Sequence, residues 1–121
     1  MAFDETLKDL VDGVSGAVGA TLMGMDGFSV HHFVKDGGSF DVDSTGIEYG
    51  KVIDDIRHAS TLLNLGELEE VTVTSGNALL ILRVVTKDYY IAYVLKSNAN
   101  VGKARFYIKK AAVKASLELA L

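Results

Sequence analysis

Histidines, closely spaced glycines, serines and arginines are the side chains of this sequence that could do chemistry, and their spacing decides which kind. Gly13, Gly16 and Gly19 recur at every third position. A phosphate-cradling loop also needs a Gly-Lys-Ser/Thr closure, whose lysine and hydroxyl meet phosphate and Mg²⁺, and none follows. His31 and His32 are neighbours in a strand-like run, so their rings leave on opposite faces, a poor geometry for one metal ion. His58 stands one helical turn after Asp54, as ordinary surface pairs do. Ser15, Ser29 and Ser75 carry no nucleophile-elbow pattern. The sequence has no cysteine, which excludes a thiolate nucleophile, a disulfide and a cysteine metal site. Arg57 and Arg105 remain. Either could be a transition-state finger for a partner that hydrolyses a nucleotide, with Arg57, flanking the outer side of its helix, the better placed. The alternative for both is an ordinary surface arginine. The expectation is a non-enzymatic protein with no cofactor and no metal, which works through its surfaces.

The 121 residues suit one domain, 1–121, with 49% apolar and 23% charged side chains. Such a chain buries a real core and is far from a disordered composition. The net charge of -4 is unevenly spread: residues 1–70 hold fourteen acidic and four basic side chains, and residues 71–121 hold two acidic and eight basic. That polarity can steer a partner or orient a self-association. An acidic chain without aromatic-interleaved basic stretches is not expected to bind nucleic acid. The opening Met1-Ala2-Phe3-Asp4-Glu5 lacks a secretory pattern, and no apolar run approaches the about 20 residues of a membrane span. A cytoplasmic location without membrane insertion is expected.

The elements that must build those surfaces read clearly. Phe3, Leu7, Leu10, Val11 and Val14 recur at helical spacing, with Gly13 or Gly16 as the stop. Ala17–Met25 reads as a strand that something approaches closely, Asp26-Gly27 as a hairpin turn, and Phe28–Val34 as the return strand closed by Lys35-Asp36-Gly37-Gly38-Ser39. Asp41–Thr45 offers N-caps for a helix running to Leu65, with Gly66 as its C-cap. Tyr49, Val52, Ile53, Ile56, Ser60 and Leu63 make its expected inner stripe. Ile47, Lys51, Asp54, Asp55, His58, Leu62 and Leu65 make the other side, which is more apolar than a solvated face requires.

Three runs then follow as an antiparallel meander: Glu67–Ser75, Ala78–Val85 and Tyr89–Leu95, broken at Gly76-Asn77 and Thr86-Lys87-Asp88. In Ala78–Val85, Leu79, Ile81 and Val85 point one way and Leu80, Leu82 and Val84 the other, so both faces are dry. A sheet dry on both sides needs helices on both sides. Glu67–Ser75 has Val71 and Val73 on one side and Glu70, Thr72 and Thr74 on the other, as suits an edge strand. Asn98-Ala99-Asn100 can cap a last helix, Val101–Leu119, whose Ala104, Ile108, Ala111, Ala112, Ala115 and Leu119 allow close packing. The order is helix, strand, strand, helix, three strands, helix.

This order resembles the roadblock / dynein light-chain superfamily. So do Val18-Gly19-Ala20-Thr21-Leu22-Met23-Gly24-Met25-Asp26-Gly27-Phe28 near the start and Asn98-Ala99-Asn100-Val101-Gly102-Lys103-Ala104-Arg105 before the last helix. The resemblance spans essentially the whole chain. It implies an α+β, three-layer α/β/α sandwich: a five-stranded antiparallel sheet with one helix on one face and two on the other. It also implies a homodimer in which the third strand pairs with its copy and the second helices pack together. Carried to this chain, the dimer interface is Glu69, Val71, Thr72, Val73 and Thr74 with Leu62 and Leu65. Bacterial members, the MglB-type polarity regulators among them, bind small Ras-like GTPases of the MglA kind and can activate GTP hydrolysis without supplying a nucleotide site. The partner surface is then expected at Ile47, Lys51, Asp54, Asp55, Arg57 and His58. Two alternatives stay open: a small-molecule sensor of similar layered topology, and a purely structural scaffold subunit.

Overall fold

The computed structural model describes residues 2–35 and 40–121. Most of the loop Lys35–Ser39 lies outside them. Chain order is α1 (Ala2–Asp12), β1 (Ala17–Gly24), β2 (Ser29–Val34), α2 (Val42–Leu62), β3 (Glu70–Thr74), β4 (Ala78–Thr86), β5 (Tyr89–Lys96) and α3 (Val101–Leu119). The strands form one five-stranded sheet in the order β2-β1-β5-β4-β3, and every neighbouring pair is antiparallel. The three-layer α/β/α class and the element order are those expected.

The double dryness of β4 has a direct physical counterpart. Leu79 and Ile81, with Val85 packed against them, join Leu7, Leu10 and Val11 of α1 and Ala104, Ile108 and Ala115 of α3 in one core. Leu80 and Leu82 join Ile53 of α2, Met23 of β1 and Tyr90 of β5 in the other. Alternate side chains of one strand thus feed two cores, as a period of two dictates. Tyr93 is fully buried, and its hydroxyl donates to the Leu10 carbonyl at 2.8 Å, tying the sheet to α1.

Asp26-Gly27 makes the β1–β2 turn, with Gly27 in the left-handed region at φ 95° and the Phe28 amide donating to the Asp26 carboxylate. At Asp41 the carboxylate accepts from the Ser44 amide at 3.0 Å and from its hydroxyl at 2.8 Å, a complete N-cap for α2. The far end of α2 departs from expectation. Gly66 is not the cap: Leu63 is, and Asn64 takes the left-handed position at φ 57°. The Leu65 amide bonds the Ser60 carbonyl and the Asn64 amide bonds the Thr61 carbonyl, which is a Schellman closure with asparagine in the usual glycine place.

The inner stripe of α2 also differs. Gly46, Gly50 and Ile53 are its buried residues, and Tyr49, Ile56 and Ser60 are half-buried. Val52 and Leu63, expected inside, are exposed. The reason is close approach: a Cβ at Gly46 would stand 2.5 Å from the Gly27 carbonyl oxygen, so helix backbone rests on turn backbone. Seating α2 on two glycines rotates the stripe away from Val52 and Leu63.

Candidate functional site

β3 is the free margin of the sheet, and its register says which of its backbone groups are free. The Val84 amide donates to the Glu69 carbonyl and the Ser75 amide to the Ala78 carbonyl, both at 2.9 Å. With Val71 opposite Leu82 and Val73 opposite Leu80, the odd-numbered residues therefore exchange bonds with β4. Glu70, Thr72 and Thr74 point their N–H and C=O groups outward, where a further strand would bind. The Val71 and Val73 side chains lean on the α2-side core, half-buried.

The Glu70 side chain is only 8% exposed, with its carboxylate 2.6 Å from Arg105 Nε and 3.5 Å from Arg83 Nη1. This bracket fixes the start of β3 to β4 and α3. Arg83 also lies 3.8 Å from Glu69. The sequence reading missed the cluster because its members are 35 residues apart in the case of Glu70 and Arg105.

On the α2 side the covering layer is incomplete. α2 touches β1 and β2, and past it toward β4 and β3 opens a groove of about 810 Å³. Arg57, Ser60 and Asn64 of the helix side and Glu69, Arg83 and Lys87 of the sheet side line it. At the end of the helix, outside that lining, Leu62, Leu63 and Leu65 are between 68 and 72% exposed. Three adjacent, well-exposed leucines at the end of one helix are an uncovered apolar patch rather than scattered singletons.

The residues expected to meet a partner divide. Ile47, Lys51, Asp54, Asp55 and His58 are exposed on α2. Arg57 is not on the outer side: it turns into the groove, half-buried, and its guanidinium donates to the Lys87 carbonyl at 2.9 Å. Arg105 is held by Glu70, so both arginines considered as fingers are anchored at home. His31 pairs with Asp4 of α1 while His32 is exposed. Among the described residues no group of three or more His, Cys, Asp or Glu is placed to hold a metal ion. No helix among them is long and apolar enough to cross a membrane. Phe28, beyond the Asp-Gly turn, is exposed, while Gly27 beside it lies against the α2 backbone at Gly46, and no role was expected for its ring.

Comparison with known proteins adds an independent line. No protein-family model and no curated protein sequence matches the chain. Among solved structures, MglC from Myxococcus xanthus is 34% identical over 98% of this chain and 99% of its own, with a TM-score of 0.70. A Roadblock/LC7 domain from Streptomyces avermitilis is 18% identical over 98% of each chain, with a TM-score of 0.87. The gliding protein MglB from Thermus thermophilus is 17% identical over 96% of this chain and 87% of its own, with a TM-score of 0.88. Sequence lies nearer the first and backbone shape nearer the other two.

Proposed function

Given that the chain, with its likeness to MglC along nearly its whole length, belongs to the roadblock family, we propose that it is a non-enzymatic homodimeric adaptor that binds a small Ras-like GTPase. The observation that carries this reading is the unfinished α2 layer. One helix covers part of a five-stranded face, and the uncovered part adjoins the end of that helix, where three leucines are exposed, and a strand with free outward amides. A second copy paired along β3 would bring its own α2 to that gap and continue the sheet. Glu69, Val71, Thr72, Val73, Thr74, Leu62 and Leu65 are the proposed contacts.

The GTPase would then dock on the outer side of the paired helices, at Ile47, Lys51, Asp54, Asp55 and His58. Its switch loops are two-state elements, and a broad surface that fits one arrangement shifts their population, with or without faster hydrolysis. Arg57 favours this conformational route over a supplied arginine, because inserting it into a partner first breaks its bond to the Lys87 carbonyl. Such a role is proposed for the cytoplasm, in cell polarity.

Titration against a Ras-like GTPase in both nucleotide states tests the reading. Lys51→Glu combined with Asp54→Lys should weaken binding while leaving the two-chain species intact. Absence of binding in either state removes the GTPase claim. Should hydrolysis be accelerated, Arg57→Ala separates the routes: a finger costs roughly a thousandfold or more, and a positioning surface keeps most of the effect. A second reading draws on the groove, whose about 810 Å³ falls in the range of small-molecule sites. Strong thermal stabilisation of the chain by a metabolite would favour a sensor.

A further inference from the structure

The face opposite α2 carries a second pattern, which the alanine stripe of α3 concealed. Phe106, Val113 and Leu117 are between 58 and 66% exposed. At about 100° per residue they fall within about 40° of one another around the helix, diametrically opposite the buried Ala104, Ile108, Ala111 and Ala115. α3 is therefore apolar along two opposed lines, one in the core and one on its crest. Beside the crest stand Lys103, Lys109, Lys110 and Lys114, with Glu118 the only acid of the helix.

α1 lies alongside with the opposite character. Its outward residues Glu5, Asp9 and Asp12 are exposed, Asp12 paired with the exposed Lys8 of the same helix, and between the two helices runs a shallow cleft of about 180 Å³ lined by Thr6, Asp9, Tyr107, Lys110 and Lys114. The Tyr107 ring, set against Gly13, floors this cleft. One face thus presents an acidic ridge, a cleft, and a basic ridge with an apolar crest.

We infer that this face is self-complementary and associates back to back with a second copy of the chain. A two-fold axis between the ridges lays the basic α3 of each copy over the acidic α1 of the other. The Phe106, Val113 and Leu117 crests then seat along the opposing clefts, so each attraction occurs twice, as in an isologous contact. An anionic membrane suits the face less well, because Glu5, Asp9 and Asp12 lie in the same plane as the lysines. The footprint, one helix of about 28 Å beside one of about 16 Å, is below the about 800 Å² per partner of standard interfaces. The association is accordingly weak and concentration-dependent. It is separate from the β3 margin and joins edge-paired units into larger ones.

Sedimentation velocity over a concentration series tests it, with the intact chain. The wild type doubles its mass at high concentration, and the association weakens several-fold from about 0.05 M to about 0.5 M salt as exposed charges are screened. Val113→Glu with Leu117→Glu, both exposed positions, abolishes the doubling with an unchanged circular-dichroism spectrum. Lys110→Glu with Lys114→Glu does the same, and adding Glu5→Lys with Asp9→Lys to that chain restores it. In a Thr72→Pro background, which opens the β3 margin, the doubling persists from the smaller unit, so loss of either contact is read separately. The inference is overturned if doubling is absent from the wild type or survives Val113→Glu/Leu117→Glu. Failure of the charge-exchanged chain to recover also overturns it. So does cosedimentation of the wild type, but not the Leu117→Glu chain, with vesicles of equimolar phosphatidylcholine and phosphatidylglycerol, which would assign the face to lipid.

Discussion

Thr72→Pro should separate two copies of this protein without unfolding either one. The register makes Thr72 an outward residue of β3, so in a single chain its N–H bonds only water, and proline is tolerated where an edge amide faces solvent. In a β3-to-β3 pairing centred on Thr72, Glu70 of each copy faces Thr74 of the other, and three residue pairs exchange six hydrogen bonds. The substitution deletes the central two and leaves two carbonyls facing no donor. At about 1–3 kcal/mol for each orphaned group, the dimer loses about 2–6 kcal/mol. A mid-range loss of about 4 kcal/mol raises the dissociation constant roughly a thousandfold. Val73→Pro is the contrasting variant. Its N–H points inward to the Leu80 carbonyl, so it damages the β3–β4 ladder and lowers the stability of the single chain by about 1–3 kcal/mol before any dimer is considered. Light scattering along a dilution series, with urea melts of the same samples, reads both effects. If Thr72→Pro leaves both the dimer mass and the urea midpoint at wild-type values, the margin of β3 is not where the copies meet.

Gly46→Ala should cost about 1–3 kcal/mol by urea unfolding despite its better helix propensity, since its new Cβ meets the Gly27 carbonyl oxygen at 2.5 Å and backbone yields little; a gain in stability would mean that α2 is not seated on the turn. Tyr90 and Tyr93 are both buried, but the Tyr90 hydroxyl has no partner, and burial pushes its pKa up to about 12. Tyr90→Phe should therefore be neutral or stabilising by up to about 1 kcal/mol, whereas Tyr93→Phe, which forfeits the bond to Leu10, should cost about 0.5–1.5 kcal/mol. Equal melting-temperature changes would contradict this asymmetry. The Ser44 amide, then its hydroxyl, hold the Asp41 carboxyl below its ordinary value. Its contribution is present above the ordinary carboxylate range and is lost as pH falls through the lowered value. Amide protection at the start of α2, the exchange rate relative to an unstructured chain at the same pH, should fall on that descent in the wild type and stay level in Asp41→Asn, which keeps an acceptor that does not titrate there. A wild-type profile as flat as the variant's would mean that the cap does not act through charge.

How much of this was legible in the sequence depended on whether the signal was periodic. Leu79 to Val85 alternated between two dry faces, and a strand can do that only between two helical layers, so three layers followed from seven residues. Val71 and Val73 against Glu70, Thr72 and Thr74 gave the edge strand by the same rule. Side-chain alternation, however, does not tell which amides face outward. That depends on the pairing phase, set here by the Ser75-to-Ala78 bond across the turn, and it moves the informative proline from Val73 to Thr72. The α2 stripe was legible only in part, with Val52 and Leu63 misplaced, for a different reason. Large side chains suggested the inner side, but two glycines let backbone meet backbone, and the smallest residues won the closest approach.

Arg57 was out of reach because its partner is a carbonyl 30 residues away. Contacts of that kind leave no mark on local composition. The crest of Phe106, Val113 and Leu117 could have been found, since they obey the same roughly 100° arithmetic as the alanines behind them. It was passed over because one apolar line already satisfied the core, and a helix with two such lines has one more than folding a single chain requires. That surplus recurs at Leu62, Leu63 and Leu65, on the other face of the sheet. Surface that folding does not use, placed beside free amides in one case and beside exchanged charges in the other, is better explained by association than by the interior of one chain.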